Sequence, residues 1–194
     1  MAELVSTKPL IVCVDDDEAM LAAVTRTIRR ESAYEVRGTL SVSQVLEWVH
    51  SDPIAVLVSD YEMPEMTGAQ LAGIVKRVRP ETVRILLTGR RTLDTAIDGI
   101  NQGEIFRFLQ KPFEDKQLRQ AVQEAVQRNA ELVELSGERQ RRERREALRH
   151  ELEVEYPGIS KVERDGAHYV VSEDPWSAAA ELGLVELDRS LEIP

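Results

Sequence analysis

Short, unbroken apolar runs are the feature that most narrows the folds open to this chain. Leu10–Val14 and Ile54–Val58 contain no polar residue, and Arg84–Leu87 contains one. A strand with one wet face alternates apolar with polar residues, whereas a continuous run suits a strand covered on both faces. Between these runs lie segments read as helical, at about Glu18–Arg30, Ser41–His50, Thr67–Val78 and Leu93–Asn101. Strands alternating with helices argue for a parallel sheet wrapped by helices. Two further candidate strands, Tyr34–Arg37 and Ile105–Leu109, are short or mixed, as edge strands are.

Five strands with the second and fifth at the edges give an α/β, flavodoxin-like, doubly wound parallel sheet of order 2-1-3-4-5. Ligands in such sheets bind at the carboxyl ends of the central strands, so chemistry is expected just after Val14, Ser59, Leu87 and Leu109. Asp15, Asp16 and Asp17 follow the first strand, Asp60 and Glu62 the third, Thr88 ends the fourth, and Lys111 follows the fifth. Carboxylates gathered in one place need a compensating cation, and Mg²⁺, a hard ion content with one or two carboxylates and several waters, fits. One carboxylate could then act as a nucleophile towards phosphorus. Lys111 and the Thr88 hydroxyl would meet the oxygens of the arriving phosphoryl group.

Residues 9–130 resemble the receiver domain of two-component response regulators. The resemblance rests on Val14-Asp15-Asp16-Asp17-Glu18, on Ser59-Asp60-Tyr61-Glu62-Met63-Pro64-Glu65-Met66-Thr67-Gly68, on Thr88-Gly89 and on Lys111-Pro112-Phe113. Four such elements, in order at four strand ends, are far more specific than any one of them. The resemblance implies that Asp60 accepts phosphate from a sensor histidine kinase. It implies that Asp16, Asp60 and the backbone carbonyl of Glu62 hold Mg²⁺, with Asp15 assisting through water. Thr88 and Lys111 would bind the phosphoryl oxygens, and Thr88 with Phe108 would form a switch. The Lys111–Pro112 bond is often cis in that family. Thr67 departs from the family's usual Asp or Ser. Ile100–Phe108 is similar to receivers that precede HD-GYP phosphodiesterase domains, but residues 114–194 contain no His-Asp pair and are not expected to form such a domain.

Beyond Phe113 the pattern changes. Leu118, Val122, Ala125, Val126, Leu132 and Val133 recur at helical spacing, Ser136–Gly137 is a weak break, and residues 138–151 are almost entirely Arg and Glu. The expected organisation is a receiver over residues 1–123, an extended helix over 114–155 and a small hairpin-helix output module over 156–194. Residues 118–135 are read as a possible dimerising coiled coil, which makes a homodimer the expected state. In the tail, Asp165–Gly166 is a type I′ turn dipeptide that would set Val162 opposite Tyr169. Asp174-Pro175 reads as the start of a helix that Gly183 ends.

Charge decides between function classes. The chain carries 35 Asp+Glu against 25 Lys+Arg. The excess sits in residues 152–194, where ten acids face three Lys or Arg, a net −7. Such a tail is repelled by phosphates and shows no helix-turn-helix, so nucleic acid is disfavoured and an unknown downstream protein is the expected partner. Residues 138–151, with six Arg and four Glu, are too weakly basic for a nucleic-acid arm. No apolar run reaches the ~20 residues of a membrane span. A single cysteine, Cys13, rules out a disulfide framework, and a cytoplasmic location is expected. The expected protein is a phosphoacceptor rather than an enzyme. The enzyme alternative is a haloacid-dehalogenase-type phosphohydrolase with Asp15 as nucleophile.

Overall fold

A computed structural model of the chain describes residues 8–89, 105–155, 163–165 and 168–170. The chain divides after Glu138 into two compact units. In the first, β1 (Leu10–Val14), β2 (Glu35–Thr39), β3 (Ile54–Asp60), β4 (Val83–Thr88) and β5 (Arg107–Gln110) form one parallel sheet of order β2-β1-β3-β4-β5. The order is the one expected. Helices α1 (Glu18–Arg29), α2 (Val42–Ser51) and α3 (Gly68–Val78) lie between the strands, and α4 (Asp115–Glu155) follows the sheet. The candidate helix at Leu93–Asn101 lies outside the described residues.

Alternating side chains of the central strands feed two separate cores. Ile11, Cys13, Val56, Val58, Ile85, Leu87 and Leu109 pack with Val24 and Ile28 of α1 and with Leu118, Ala121, Val122 and Ala125 of α4. Val12, Val14 and Leu57 pack with Val42, Val45 and Val49 of α2 and Leu71 and Val75 of α3. Every residue of β1, β3 and β4 is buried, which is why those strands lack alternation. Arg84 is the charged exception inside β4. It is 5% exposed, and its guanidinium donates to the carbonyls of Pro80 and Thr82.

Helix starts are fixed by side-chain caps. The Asp17 carboxylate accepts from the N–H groups of Ala19 and Met20 and starts α1. The Ser41 hydroxyl accepts from Gln44 N–H, and Thr67 with Gln70 forms a reciprocal capping box at α3. Arg79 serves the other end of α2, donating to the carbonyls of Val49 (3.0 Å) and His50 (3.2 Å).

α4 is the single long helix expected over residues 114–155, and the reading of its apolar stripe is revised. The helix runs through Ser136–Gly137 without a break, although mid-helix glycine costs about 1 kcal/mol relative to alanine. The apolar stripe expected to pair two chains is largely internal: Leu118, Ala121, Val122 and Ala125 are fully buried, with Val126 and Leu132 packed against the same core. A sheet buried on both faces needs that side covered, so residues 118–126 close their own domain. The exposed large apolar residues remaining on α4 are Val133, Leu135, Leu148 and Val154.

In the second unit, β6 (Glu163–Asp165) and β7 (His168–Val170) form the expected hairpin with a different register. Asp165 pairs with His168 and Arg164 with Tyr169, so Tyr169 does not stand opposite Val162. The candidate helix from Asp174 to Gly183 lies outside the described residues.

Candidate functional site

Parallel pairing aligns the four strand ends. Asp60 is in register with Leu87, and Tyr61 N–H donates to the Leu87 carbonyl at 2.9 Å. Lys111 N–H donates to the Thr88 carbonyl at 2.7 Å, and the Lys111–Pro112 bond is cis. Asp15 follows β1 directly. The backbone thus delivers Asp15, Asp60, Thr88 and Lys111 to one edge of the sheet, as the topology predicts.

Lys111 joins the two buried acids. Its Nζ lies 3.0 Å from Asp15 Oδ2 and 2.5 Å from Asp60 Oδ1. The second oxygen of each acid accepts a backbone N–H two residues on: Asp17 N–H to Asp15 Oδ1, and Glu62 N–H to Asp60 Oδ2, both at 2.9 Å. These paired Asx turns orient both carboxylates. The sequence reading had given Glu62 only a carbonyl role and missed its N–H. The signal was present as an aspartate two residues before a second acid, at both strand ends.

Electrostatics around Asp60 are unrelieved. Burial lifts its carboxyl above the ordinary carboxylate range, against the pull of Lys111, and the neighbouring Asp15 charge adds to the rise. Lys111 is also raised: burial pulls its ammonium down, but hydrogen bonds to Asp60 and Asp15 and their charges outweigh that. A pair whose acid still rises is one in which desolvation outweighs attraction.

Asp15, Asp16 and Asp60 each place a carboxylate oxygen within 4.8 Å of the others. Asp15 and Asp60 are buried, whereas Asp16 is exposed and opens the cluster to solvent. Three hard oxygen donors against one ammonium leave negative charge to be neutralised, and one open side admits the waters that Mg²⁺ retains. The residues present fit that ion. Thr88 is buried at the end of β4, with its hydroxyl donating to the Gly89 carbonyl at 3.2 Å. Phe108, half-buried in β5, is in register with Leu86, two residues before Thr88.

The model of the family described as "Response regulator receiver domain" matches residues 11–123. The chain belongs to that family. The DNA-binding transcriptional regulator NtrC of Azospirillum brasilense is 32% identical over 119 residues, which are 61% of this chain and 24% of the relative. This chain therefore spans about a quarter of the length of that curated relative. Among solved structures, the signal receiver domain of an HD domain-containing protein from Pseudomonas fluorescens Pf-5 is 29% identical, with a TM-score of 0.63 over 69% of this chain and 97% of that one. The adenylate cyclase of Rhodopirellula baltica is 29% identical, with a TM-score of 0.62 over 70% of this chain and 98% of that one. The receiver's phosphohydrolase rival also meets a local obstacle. The acid two residues after Asp15 is Asp17, and one of its oxygens is already engaged in capping α1.

Proposed function

We propose that this receiver is switched by phosphorylation of Asp60 and passes the change to a protein-binding output in residues 156–194. The observation that carries the reading is the Lys111 ammonium bridging Asp15 and Asp60 at the strand ends. In this reading a sensor histidine kinase presents a phosphohistidine. An oxygen of Asp60 attacks phosphorus, the N–P bond breaks, and the departing imidazole takes up a proton. Glu62 N–H fixes one Asp60 oxygen, leaving the other, beside Lys111, to form the new bond. Lys111 and the Thr88 hydroxyl then donate to the phosphoryl oxygens. Asp16, Asp60 and the Glu62 carbonyl would hold Mg²⁺, with Asp15 acting through water. The ion supplies positive charge that offsets the negative charge of the phosphoryl group.

Thr88 must leave the Gly89 carbonyl to reach a phosphoryl oxygen. Phe108, on the neighbouring strand, is the aromatic placed to respond to that movement. The receiver occupies residues 1–123, the helix of residues 114–155 connects, and residues 156–194 form the output. A net −7 over residues 152–194 disfavours a nucleic-acid output and favours a protein partner in the cytoplasm. This output carries no chemistry of its own. Incubation with acetyl phosphate and Mg²⁺, followed by intact mass spectrometry, tests the first half. Wild type should gain one acid-labile phosphate, and Asp60→Asn should gain none. Labelling that survives in Asp60→Asn but disappears in Asp15→Asn would favour the phosphohydrolase chemistry instead.

A further inference from the structure

One face of α4 carries a charge pattern that the strand-end site does not use. Positions 131, 134, 138, 141, 145, 148 and 152 follow spacings of three and four, which hold them on one side of a helix. The helix is continuous across all of them. In order they are Glu131, Glu134, Glu138, Arg141, Arg145, Leu148 and Leu152, with Leu135, Arg142 and Arg149 on the adjoining flank. The face is therefore acidic over its first turns and basic over the next, with leucine at its end. All of these residues except Leu152 are exposed, Leu135 at 57% and Leu148 at 54%.

Pairing within the helix leaves most of this charge unmatched. Arg139–Glu143 (2.7 Å) and Arg142–Glu146 (2.8 Å) run along the flank, and Glu131 is held by Arg128 (2.8 Å). Among the described residues, Glu134, Glu138, Arg141, Arg145 and Arg149 form no ion pair.

A second copy of this chain is the occupant that fits the pattern. A parallel, in-register pair would set Glu134 and Glu138 against themselves and Arg141 and Arg145 against themselves, which is repulsive throughout. An antiparallel pair about a two-fold axis near residue 140 sets the acidic segment of each chain against the basic segment of the other. The match then occurs twice, as a self-complementary interface requires. It also brings Leu135 of one chain within about one helical turn of Leu148 of the other. We propose that this face of α4 is a self-association surface on which two chains pair antiparallel through residues 131–152. Glu134 and Glu138 of one chain face Arg145 and Arg141 of the other. The pairing depends on neither Asp60 nor phosphoryl transfer. Exposed ion pairs are weak singly and screened by salt, so the association is modest and salt-sensitive.

Sedimentation of the full chain at up to about 200 µM, in about 20 mM and about 500 mM NaCl, tests the proposal. Between these salts the Debye length falls from ~20 to ~4 Å. A dimer is expected at low salt, weakened about tenfold or more at high salt. Arg141→Glu with Arg145→Glu should weaken it about tenfold, and so should Glu134→Arg with Glu138→Arg. An equimolar mixture of these two double variants, one acidic and the other basic at positions 134, 138, 141 and 145, should pair at least as tightly as wild type. Leu135→Cys and Leu148→Cys chains, mixed with a short bis-maleimide, should cross-link to each other in preference to themselves. A monomer at low salt, a dimer indifferent to the reversals, or Leu135→Cys joining chiefly to its own copy would each overturn the proposal.

Discussion

Lys111→Met isolates what the ammonium does for the resting protein. Lys111 Nζ touches two carboxylates whose side chains are 3% and 9% exposed, while its own side chain is 23% exposed. Methionine keeps the unbranched apolar stem and removes the charge, so packing is largely preserved. Two acids are then left in one cluster without a protein cation. Removing one partner of a fully buried ion pair costs about 3–5 kcal/mol. Solvent reaches the lysine end and screens part of that, which puts the expected loss at about 2–3 kcal/mol. For a domain of this size that is a fall in Tm of about 8–15 °C. Asp60→Asn should instead leave stability within about 1 kcal/mol of wild type, on the stabilising side, because the fold resists that charge. The double variant strands only one acid, so it should lose less than Lys111→Met alone, with a coupling of about 1 kcal/mol or more.

The pH dependence has a definite sign. A carboxyl raised in the folded state contributes stability below its ordinary value of 3.8, and that contribution is lost as pH rises through the folded value. A raised ammonium contributes fully below its ordinary value of 10.5 and loses this only as pH rises through its folded value. Between about pH 5 and 9 the lysine's contribution is therefore flat. Lys111→Met frees Asp60 of its counter-charge, so the variant should lose stability more steeply than wild type as pH rises. Urea unfolding in EDTA, followed by far-ultraviolet circular dichroism, measures all four proteins. Repeating it with Mg²⁺ should narrow the gap between Lys111→Met and wild type. Lys111→Met within about 0.5 kcal/mol of wild type in EDTA, or coupling near zero, would refute the reasoning.

Three further outcomes are expected. A Cβ on Gly68 would overlap the Asp60 carbonyl oxygen and lie 3.0 Å from Ser59 Oγ, so Gly68→Ala must displace the loop beside the acceptor. It should cost about 2 kcal/mol in urea unfolding and slow labelling by acetyl phosphate. Thr67→Ala removes one half of the capping box of α3 and should cost about 1 kcal/mol, most of which Thr67→Ser restores. Burial pushes the Cys13 thiol up to about 12, so Ellman's reagent at neutral pH should find no thiol in native protein and one after denaturation.

The central strands were legible because burial on both faces makes them apolar whatever their register. The edge strands were less so. β2 covers Glu35–Thr39 rather than Tyr34–Arg37 because each of its residues pairs in turn with Leu10–Val14, which sets where it begins and ends. β5 covers Arg107–Gln110 rather than Ile105–Leu109 for the same reason, in register with Ile85–Thr88. β3 extends past Val58 to Asp60 because β4 still pairs with it there. Such ends are decided by a neighbour distant in sequence. The site residues were readable as charged groups following apolar runs, whereas the Asp17 and Glu62 N–H contacts depend on loop backbone. What covers the first part of the apolar stripe at 118–135 was not legible, because helical spacing marks a buried face without saying what buries it.

Magnitudes limit how the strand-end site can act as a switch. In the resting state the Thr88 hydroxyl donates to the Gly89 carbonyl. Exchanging that neutral hydrogen bond for another is worth about 0.5–1.5 kcal/mol, at most a roughly tenfold shift in a two-state equilibrium. That alone cannot carry a population from mostly off to mostly on, which needs about 5.5 kcal/mol. Bonds to an ionised phosphoryl group are stronger, about 1.5–3 kcal/mol each. Two such donors, Thr88 and Lys111, reach the required range only by acting together. Lys111 can do so only by loosening its hold on Asp15 and Asp60, which it grips at 3.0 and 2.5 Å. The group that stabilises the resting acids is therefore the one the proposed phosphorylated state must recruit. A divalent cation in the cluster would free it, so cation binding and switching should be thermodynamically linked through Lys111.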